Sequence, residues 1–398
     1  MIERTLAKTL KESAKHFPIV TLTGPRQSGK TTLVKMVFKN HHYVSLEEPD
    51  HRQFALEDPR GFLSQFDQPV ILDEIQRVPE LFSYLQVLVD EHGEWTGRFV
   101  LTGSQNFLLL QSISQSLAGR CAVLNLLPFS LAEIERRDPI DLRLIGRKPI
   151  RNEFPPQKTL FETMFTGFYP RIHHKRIPPQ NWLSSYYQTY IERDVRSLVN
   201  VGDIEAFGRF VRLCAGRCGQ LLNLSGLASD CGISHTTARR WLSVLQASFI
   251  VILLKPHHRN FGKRLIKSPK LYFLDTGLLC YLLHIRTPDE LFHRAERGAV
   301  FESFVVAEMF KNFVHRGEQP SIYFWRDAAG HEIDVVIDLG SQLIPIETKS
   351  GQTVTPDFFR NLNYWFKLCD NTPPAALIYG GNNSFKRSGV VIYPWYVL

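Results

Sequence analysis

One eight-residue segment, GPRQSGKT at residues 24–31, constrains the fold of this 398-residue chain more than any other feature. It fits the pattern G-x-x-x-x-G-K-[ST], follows the apolar run at 19–23 and opens a predicted helix at 30–39. Glycine at both ends lets the backbone N–H groups wrap a phosphate, and the N-terminus of the helix adds favourable partial charge. The segment therefore predicts a phosphate-binding loop on a parallel sheet; the alternative is a chance glycine-rich turn.

The loop and a second segment predict a magnesium–nucleotide site. The residues expected to bind ATP are Gly24, Pro25, Arg26, Gln27, Ser28, Gly29, Lys30, Thr31 and Thr32. Lys30 is expected to reach the β- and γ-phosphates, and the Thr31 hydroxyl to bind Mg²⁺. A predicted strand at 70–72 ends in Asp73, expected to hold the ion through water, and Glu74, expected to orient and deprotonate the attacking water. The alternative is a strand end with solvated charges, but the two acids together favour hydrolysis over binding alone.

Two further candidates follow along the chain. The predicted strand FVLT at 99–102 leads into Gly103 and Ser104, so Ser104, with Asn106 as second choice, is expected to position the water and sense the γ-phosphate. A simple polar turn is the alternative reading. Arg120 is a candidate arginine finger toward the nucleotide of its own or a neighbouring subunit, although an exposed loop arginine is more often only solvated.

Eight segments together carry a family resemblance. GPRQSGKTTL, VILDEIQRVPELF, LTGSQNFLL and SLAGRCAVLNLLPFSLAE resemble prokaryotic AAA-type P-loop ATPases whose C-terminal domain is of unknown function. TGFYP, YYQTYIERDV, LYFLDTGLL and RGAVFESFVVAE resemble the second half of that family, so the resemblance covers nearly the whole chain. It implies ATP binding and hydrolysis and suggests a nuclease-like fold for the C-terminal domain. Thr166, in TGFYP, stands where the family leads us to expect glycine.

The C-terminal region has the residue spacing of the PD-(D/E)xK nuclease fold. Asp334 lies in a predicted strand, and Glu347 and Lys349 follow in the next one, where they share a face. Asp334, Glu347 and Glu302, on a predicted helix at 300–312, are expected to bind Mg²⁺ or Mn²⁺ through oxygen. Lys349 would lower the pKa of a nucleophilic water or balance charge on the scissile phosphate. The alternatives are surface charges on a mixed sheet, or a nuclease fold retained only for binding.

The middle of the chain predicts a winged helix-turn-helix, with helices at 224–229 and 236–245 and strands at 250–254 and 270–274. Arg239 and Arg240 on the second helix suit a DNA major groove, although such modules also act as plain lids. The basic run at 255–270 and the net charge of +8, from 47 Lys plus Arg against 39 Asp plus Glu, favour DNA as partner.

The expected architecture is α/β in three parts: an AAA-type P-loop ATPase domain with a parallel sheet at 1–135, a helical region with the winged helix-turn-helix at 136–290, and a nuclease-like α/β domain at 291–398. We expect Mg²⁺-dependent ATP hydrolysis coupled to a nuclease-like domain acting on DNA. The alternative is an ATP-gated switch or scaffold whose C-terminal fold binds a partner without catalysis. No apolar run approaches the roughly 20 residues that span a bilayer, so we expect a cytoplasmic protein with no membrane partner, and a homo-oligomer is compatible with the sequence.

Overall fold

A computed structural model describes residues 2–104, 116–150, 155–190, 204–258, 266–369 and 373–398. The chain divides into two compact units. The first contains Met1–Phe129 with the short segments Ala247–Phe249 and Val314–Glu318, and the second contains Ser130–Gln246, Ile250–Phe313 and Gln319–Leu398. The division into three domains stays a prediction. Within the described ranges, no helix has both the length and the apolar character needed to cross a membrane.

The first unit is a parallel α/β sheet, which confirms the predicted N-terminal fold. Its five strands lie in the order β2-β3-β4-β1-β5, and every neighbouring pair is parallel. In chain order its elements are α1 (Leu6–His16), β1 (Ile19–Thr23), α2 (Lys30–Val37), β2 (His42–Ser45), α3 (Pro49–Glu57), α4 (Pro59–Ser64), β3 (Val70–Asp73), α5 (Leu81–Glu91), β4 (Phe99–Gly103) and β5 (Cys121–Asn125).

Both faces of this sheet are buried, which is why its strands read as continuous apolar runs. Leu72 of β3 packs in one core with Leu85 of α5, whereas its neighbour Ile71 packs in a second core with Leu10 of α1. Because the strands are parallel, the carboxyl ends of β1, β3 and β4 lie at one edge of the sheet. The phosphate loop, Asp73 and the end of β4 are therefore brought together.

The second unit begins with helices and a strand pair. Its elements up to the C-terminal sheet are α6 (Leu131–Ile134), α7 (Leu160–Thr166), α8 (Pro170–Lys175), α9 (Pro179–Tyr186), α10 (Ile204–Gly216), α11 (Leu224–Cys231), α12 (His235–Ala247), β6 (Val251–Leu254), β7 (Lys270–Phe273), α13 (Thr276–Leu282), α14 (Pro288–His293) and α15 (Arg297–Val314). Helices α11 and α12 meet at Gly232, which has a φ of 69°. The Ser234 hydroxyl accepts the backbone N–H of Thr237 at 3.0 Å and caps α12. The strands β6 and β7 that follow are antiparallel.

The TGFYP segment has a structural role at the end of α7. Gly167 has a φ of 69°, and a Cβ there would lie 2.5 Å from Oδ1 of Asp275. The Asp275 carboxylate accepts the backbone N–H groups of Phe168 and Leu278, both close to 2.8 Å, so it joins TGFYP to the LDTGLL segment and caps α13. Thr166 is still helical, and its hydroxyl donates to the backbone carbonyl of Glu162 at 2.7 Å. The turn therefore needs glycine at 167 but not at 166.

The rest of the second unit is a six-stranded mixed sheet in the order β12-β13-β11-β10-β9-β8. Its elements are β8 (Ile322–Arg326), β9 (Glu332–Asp338), β10 (Leu343–Lys349), α16 (Arg360–Leu368), β11 (Ala376–Tyr379), β12 (Phe385–Arg387) and β13 (Val390–Pro394). Strands β8, β9 and β10 are antiparallel neighbours, whereas β10, β11 and β13 are parallel. One long helix, α15, thus precedes three antiparallel strands.

Candidate functional site

The loop between β1 and α2 curls over the N-terminus of α2. Gly24 has a φ of 145°, and a Cβ there would lie 2.1 Å from the carbonyl oxygen of Leu126, so only glycine fits. Gly29, with a φ of 96°, caps α2. The Lys30 ammonium is buried and donates to the carbonyl oxygens of Gly24 and Pro25, each at 3.0 Å. Burial lowers the pKa of Lys30 to about 8, although Glu74 and Asp73 act in the opposite direction.

The other predicted loop residues lie around this lysine. Ser28 is buried, and its hydroxyl oxygen makes no hydrogen bond with the described residues. Arg26 is half-buried, and Gln27, with a φ of 64°, is exposed at the top of the loop. Thr32 is exposed on the first turn of α2. The phosphate loop and the first turn of α2 thus carry both exposed polar side chains, such as that of Gln27, and a buried one, that of Ser28.

Asp73 is held by hydroxyl groups from three elements. The Thr31 hydroxyl donates to Asp73 Oδ2 at 2.9 Å, and the Tyr43 hydroxyl donates to the same oxygen at 2.7 Å. The Thr102 hydroxyl donates to Oδ1. Burial and the adjacent Asp73 raise the pKa of Tyr43, so the phenol remains a donor. A threonine hydroxyl beside a carboxylate is a suitable oxygen donor set for Mg²⁺, and Tyr43 and Thr102 are contacts that the sequence did not indicate.

Glu74 stands beside Ser104, because β3 and β4 are adjacent parallel strands. Its backbone has a φ of 58°, in the left-handed region. The Ser104 hydroxyl donates to Glu74 Oε2 at 2.9 Å, and the side-chain amide of Gln76 donates to the same oxygen. Sequence reasoning did not identify Gln76, although it lies only two residues beyond Glu74. Asn106, the second candidate on this loop, lies outside the described residues.

Arg120 forms a surface ion pair with Asp90. Its Nε lies 2.5 Å from Asp90 Oδ1, and its NH2 donates to Asp90 Oδ2 at 2.8 Å. Asp90 belongs to α5, and the hydrogen bond from Arg120 lowers the pKa of Asp90. An arginine finger at Arg120 stays a prediction, and it requires this pair to open.

Arg4 supports the phosphate loop from outside. Its NH1 donates to the carbonyl oxygen of Ser28 at 2.8 Å, and its NH2 donates to that of Leu127 at 2.6 Å. The guanidinium lies 4.7 Å from the ring centroid of Phe129, and the residue is only 6% exposed. Arg4 joins the loop to the chain after β5. The polar N-terminal segment gives no signal for this role.

The predicted C-terminal residues come together on α15, β9 and β10. The carboxylates of Glu302, Glu332 and Asp334 place one oxygen each within 4.8 Å of the others, which suits a hard cation. Glu347 lies outside that group of three and is linked to it by Lys349, whose ammonium is 2.8 Å from Glu347 Oε2 and 3.7 Å from Asp334 Oδ2.

The electrostatics of this cluster are strongly perturbed. Burial and the nearby Asp334 raise the pKa of Glu347 to about 8. The carboxylates around Lys349 raise the pKa of its ammonium despite its burial. Glu332, which the sequence did not identify, lies two residues before Asp334 on the same strand. The spacing of alternate residues in a strand was the signal that could have found it.

Lys270 also enters this cluster. Its ammonium lies 2.7 Å from Glu302 Oε1 and 2.6 Å from Glu332 Oε1, and the residue is 3% exposed. Both carboxylates raise the pKa of Lys270. The sequence placed Lys270 at the end of a basic run expected to meet phosphates, and that expectation is wrong for this residue because its buried ammonium pairs with two half-buried acids.

The second helix of the helix-turn-helix segment presents a polar face. His235, Thr236, Arg239 and Ser243 are exposed along α12. On the opposite side Trp241 is buried, with edge-on ring contacts to Phe207 and Phe210 of α10. The burial of Trp241 leaves the polar face of α12, including Arg239, accessible.

The comparisons with known proteins agree with the fold of the N-terminal domain. Residues 16–135 match the model of the AAA domain family, residues 157–289 match the domain of unknown function DUF8612, and residues 297–398 match the domain of unknown function DUF4143. With the loop and Asp73 geometry, the first match defines an AAA-type P-loop ATPase-like domain. The resemblance is thus confirmed for this part, whereas the nuclease-like identity of the C-terminal part stays a prediction.

Two curated mycobacterial proteins match nearly the whole chain. They are uncharacterized protein Rv2008c of Mycobacterium tuberculosis and uncharacterized protein Mb2031c of Mycobacterium bovis. Each is 31% identical over 391 residues, which cover 98% of this chain and 82% of the relative. The chain belongs to the same family as these two proteins.

Solved structures are more distant. The Walker-type ATPase PABY2304 of Pyrococcus abyssi matches with a TM-score of 0.42 and 15% identity, covering 71% of this chain and 96% of that one. The RuvB Holliday junction branch migration motor of Thermotoga maritima matches with a TM-score of 0.29 and 17% identity, covering 62% and 88%. At these TM-scores neither likeness carries an argument about function.

Proposed function

We propose that the N-terminal unit binds and hydrolyses ATP with Mg²⁺. The observation that carries this proposal is the hydrogen bond from the Thr31 hydroxyl to the Asp73 carboxylate. Lys30, whose ammonium is buried, directly precedes Thr31, and Glu74 directly follows Asp73. Backbone N–H groups of the loop would bind the phosphates, and Lys30 would turn from the Gly24 and Pro25 carbonyls toward them. Bound Mg²⁺ supplies compensation for the charge on the β- and γ-phosphates.

Glu74 is the proposed general base. Ser104 and Gln76 both donate to its Oε2, so they fix the carboxylate before an attacking water is present. We assign Ser104 a positioning role through Glu74, in addition to the expected contact with water. A general base of this kind contributes roughly 10²- to 10⁴-fold to the rate.

Steady-state phosphate release and nucleotide binding test this assignment. Lys30→Ala is expected to lose both ATP binding and turnover, because Lys30 is the one lysine among the residues predicted to bind the phosphates. Glu74→Gln is expected to keep binding and lose roughly 10²- to 10⁴-fold in kcat. Glu80→Gln, an exposed acid six residues further on, is the matched control. If Lys30→Ala and Glu74→Gln both turn over at the wild-type rate, the ATP site is assigned wrongly.

We infer that ATP turnover is coupled to a nuclease-like C-terminal site acting on DNA. Support comes from Asp334 and Glu347 on neighbouring strands, with Lys349 between their carboxylates. The carboxylates fit a hard divalent cation, and Lys349 is placed to balance charge on a phosphate. The exposed Arg239 on α12 is suited to phosphate or base contacts.

Incubation with Mg²⁺ or Mn²⁺ and DNA of several structures tests the nuclease reading. Cleavage is expected to disappear in Lys349→Ala and to persist in Lys367→Ala, which removes an exposed lysine of α16. Cleavage that survives in Lys349→Ala would sink the assignment. A DNA affinity that falls with salt is expected as well, because phosphate contacts release counterions.

A second candidate function is an ATP-gated switch or scaffold with a non-catalytic C-terminal fold. The observation that favours it is the ammonium of Lys270 between Glu302 and Glu332, in a cluster where a nuclease would hold metal. This candidate predicts slow hydrolysis and no DNA cleavage. It also predicts that a non-hydrolysable ATP analogue changes the molar mass measured by light scattering, through a homo-oligomer.

A further inference from the structure

Lys270 occupies the acidic side of the C-terminal site. Its ammonium is within 2.7 Å of an oxygen of both Glu302 and Glu332, two of the three carboxylates that lie close enough to share a cation. A Mg²⁺ ion binds carboxylate oxygen at about 2.1 Å. An ion on either of these two oxygens would therefore lie no further than about 4.8 Å from the ammonium nitrogen. At that separation two cations repel each other, so the metal and the lysine compete for these oxygens.

The backbone holds Lys270 in place. In β7 it pairs with Leu254 of β6 on one side and forms a β-bridge with Leu221 on the other. The N–H of Leu222 also donates to the carbonyl of Pro269 at 2.8 Å. Lys270 therefore leaves the carboxylates only if its side chain rotates or if β7 itself moves.

The other carboxylates of the cluster also have cationic partners on the chain. Arg326 lies 3.0 Å from Glu332 Oε2, and Lys349 pairs with Glu347 and Asp334. Among the residues that the structure describes, four carboxylates thus face three cations. A site ready for a divalent ion would leave carboxylates without such partners, since the ion supplies the neutralising charge.

We propose that Lys270 is a built-in counter-cation that blocks divalent metal at Glu302, Glu332 and Asp334 until its side chain is displaced. The inference rests on the proposed role of these carboxylates as a metal site. It makes the strand pair β6–β7, which follows the helix-turn-helix, the element that closes the site. With Lys270 on these carboxylates, the site is closed to metal.

Mn²⁺ binding to the full chain without nucleotide, measured by electron paramagnetic resonance, tests the proposal. Lys270→Met removes the ammonium with little loss of volume. Lys267→Met, at an exposed lysine three residues earlier, is the matched control. Asp334→Asn in each background identifies binding at this site. We expect Lys270→Met to bind one Mn²⁺ at least about tenfold more tightly than wild type or Lys267→Met, and to lose it with Asp334→Asn.

Each other outcome counts against the proposal in a distinguishable way. Equal Asp334-dependent affinity in wild type and Lys270→Met means that the site binds metal but Lys270 does not block it. No Asp334-dependent binding in any variant means that the carboxylates are not a metal site, so their proposed role fails too. If Lys270→Met folds poorly, melting temperatures with and without Mn²⁺ test the proposal instead. We expect Mn²⁺ to raise the Tm of Lys270→Met more than the Tm of the wild type. A protein that remains unfolded in Mn²⁺ overturns the proposal.

Discussion

Arg4 offers a direct test of how the phosphate loop is supported. Its guanidinium makes two buried, charge-assisted hydrogen bonds, to the carbonyls of Ser28 and Leu127. Hydrogen bonds to charged groups contribute about 1.5–3 kcal/mol each, and the contact with the Phe129 ring adds about 0.5–1 kcal/mol. Replacement by methionine also leaves two carbonyls without this donor. We therefore expect Arg4→Met to lower the free energy of unfolding of the first unit by about 3.5–7 kcal/mol.

The same change is expected to loosen the loop. The carbonyl of Ser28 lies within the ATP-binding segment, so Arg4→Met is expected to raise the KM for ATP by about tenfold while leaving kcat within about twofold. Arg4→Lys keeps the charge but lacks the planar fork that reaches both carbonyls, so about half of the loss is expected.

Urea unfolding and steady-state ATPase kinetics measure both effects. Lys8→Met, at an exposed lysine of α1, controls for the loss of one positive charge near the N-terminus. An unfolding free energy for Arg4→Met within about 0.5 kcal/mol of the Lys8→Met value would refute the reasoning, since surface changes lie in that range. A large loss of stability with unchanged KM would keep Arg4 as a structural residue and reject its role in shaping the loop.

Two further predictions concern a titration and a turn. Burial lowers the pKa of Lys30 to about 8, so the unfolded state binds more protons than the folded state between about pH 8 and pH 10.4. The free energy of unfolding of the wild type is therefore expected to rise with pH in that window, relative to that of Lys30→Met. Urea unfolding is expected to show a rise of at most about 3 kcal/mol. Gly167 and Gly232 both have a φ of 69°, but a Cβ meets the Asp275 carboxylate only at 167. Gly232→Ala is expected to cost about 1–2 kcal/mol and Gly167→Ala at least about 1 kcal/mol more, and equal melting temperatures would contradict this.

The parts of the site that the sequence predicted are local. The loop at 24–31 is a contiguous segment whose conformation its own glycines allow, and Asp73 follows because parallel strands end at one edge of the sheet. The spacing of Asp334, Glu347 and Lys349 is likewise set by two strands joined by a short hairpin. In each case the pattern of one or two elements is enough to place the side chains.

Two of the missed residues, Arg4 and Lys270, reach the sites over long separations along the chain. Arg4 and Leu127 are 123 positions apart, and Lys270 and Glu332 are 62 apart. Such contacts depend on which elements pack together, and a basic run or a polar N-terminal segment does not encode that. A lysine in a basic run usually occupies an exposed position. Lys270 is buried instead, because it pairs with two half-buried carboxylates, and removing charges from water costs less when they are paired.

The two lysines differ in how they are held, and this difference suggests how each site responds to a ligand. Lys30 is bonded to two neutral carbonyls, and burial lowers its pKa, so an arriving phosphate offers it a better partner than the loop does. Lys270 is bonded to two carboxylates that raise its pKa, so no neutral ligand competes for it and a metal ion must displace it against repulsion. The N-terminal site is therefore arranged to accept its ligand directly, whereas the C-terminal cluster first requires movement of Lys270.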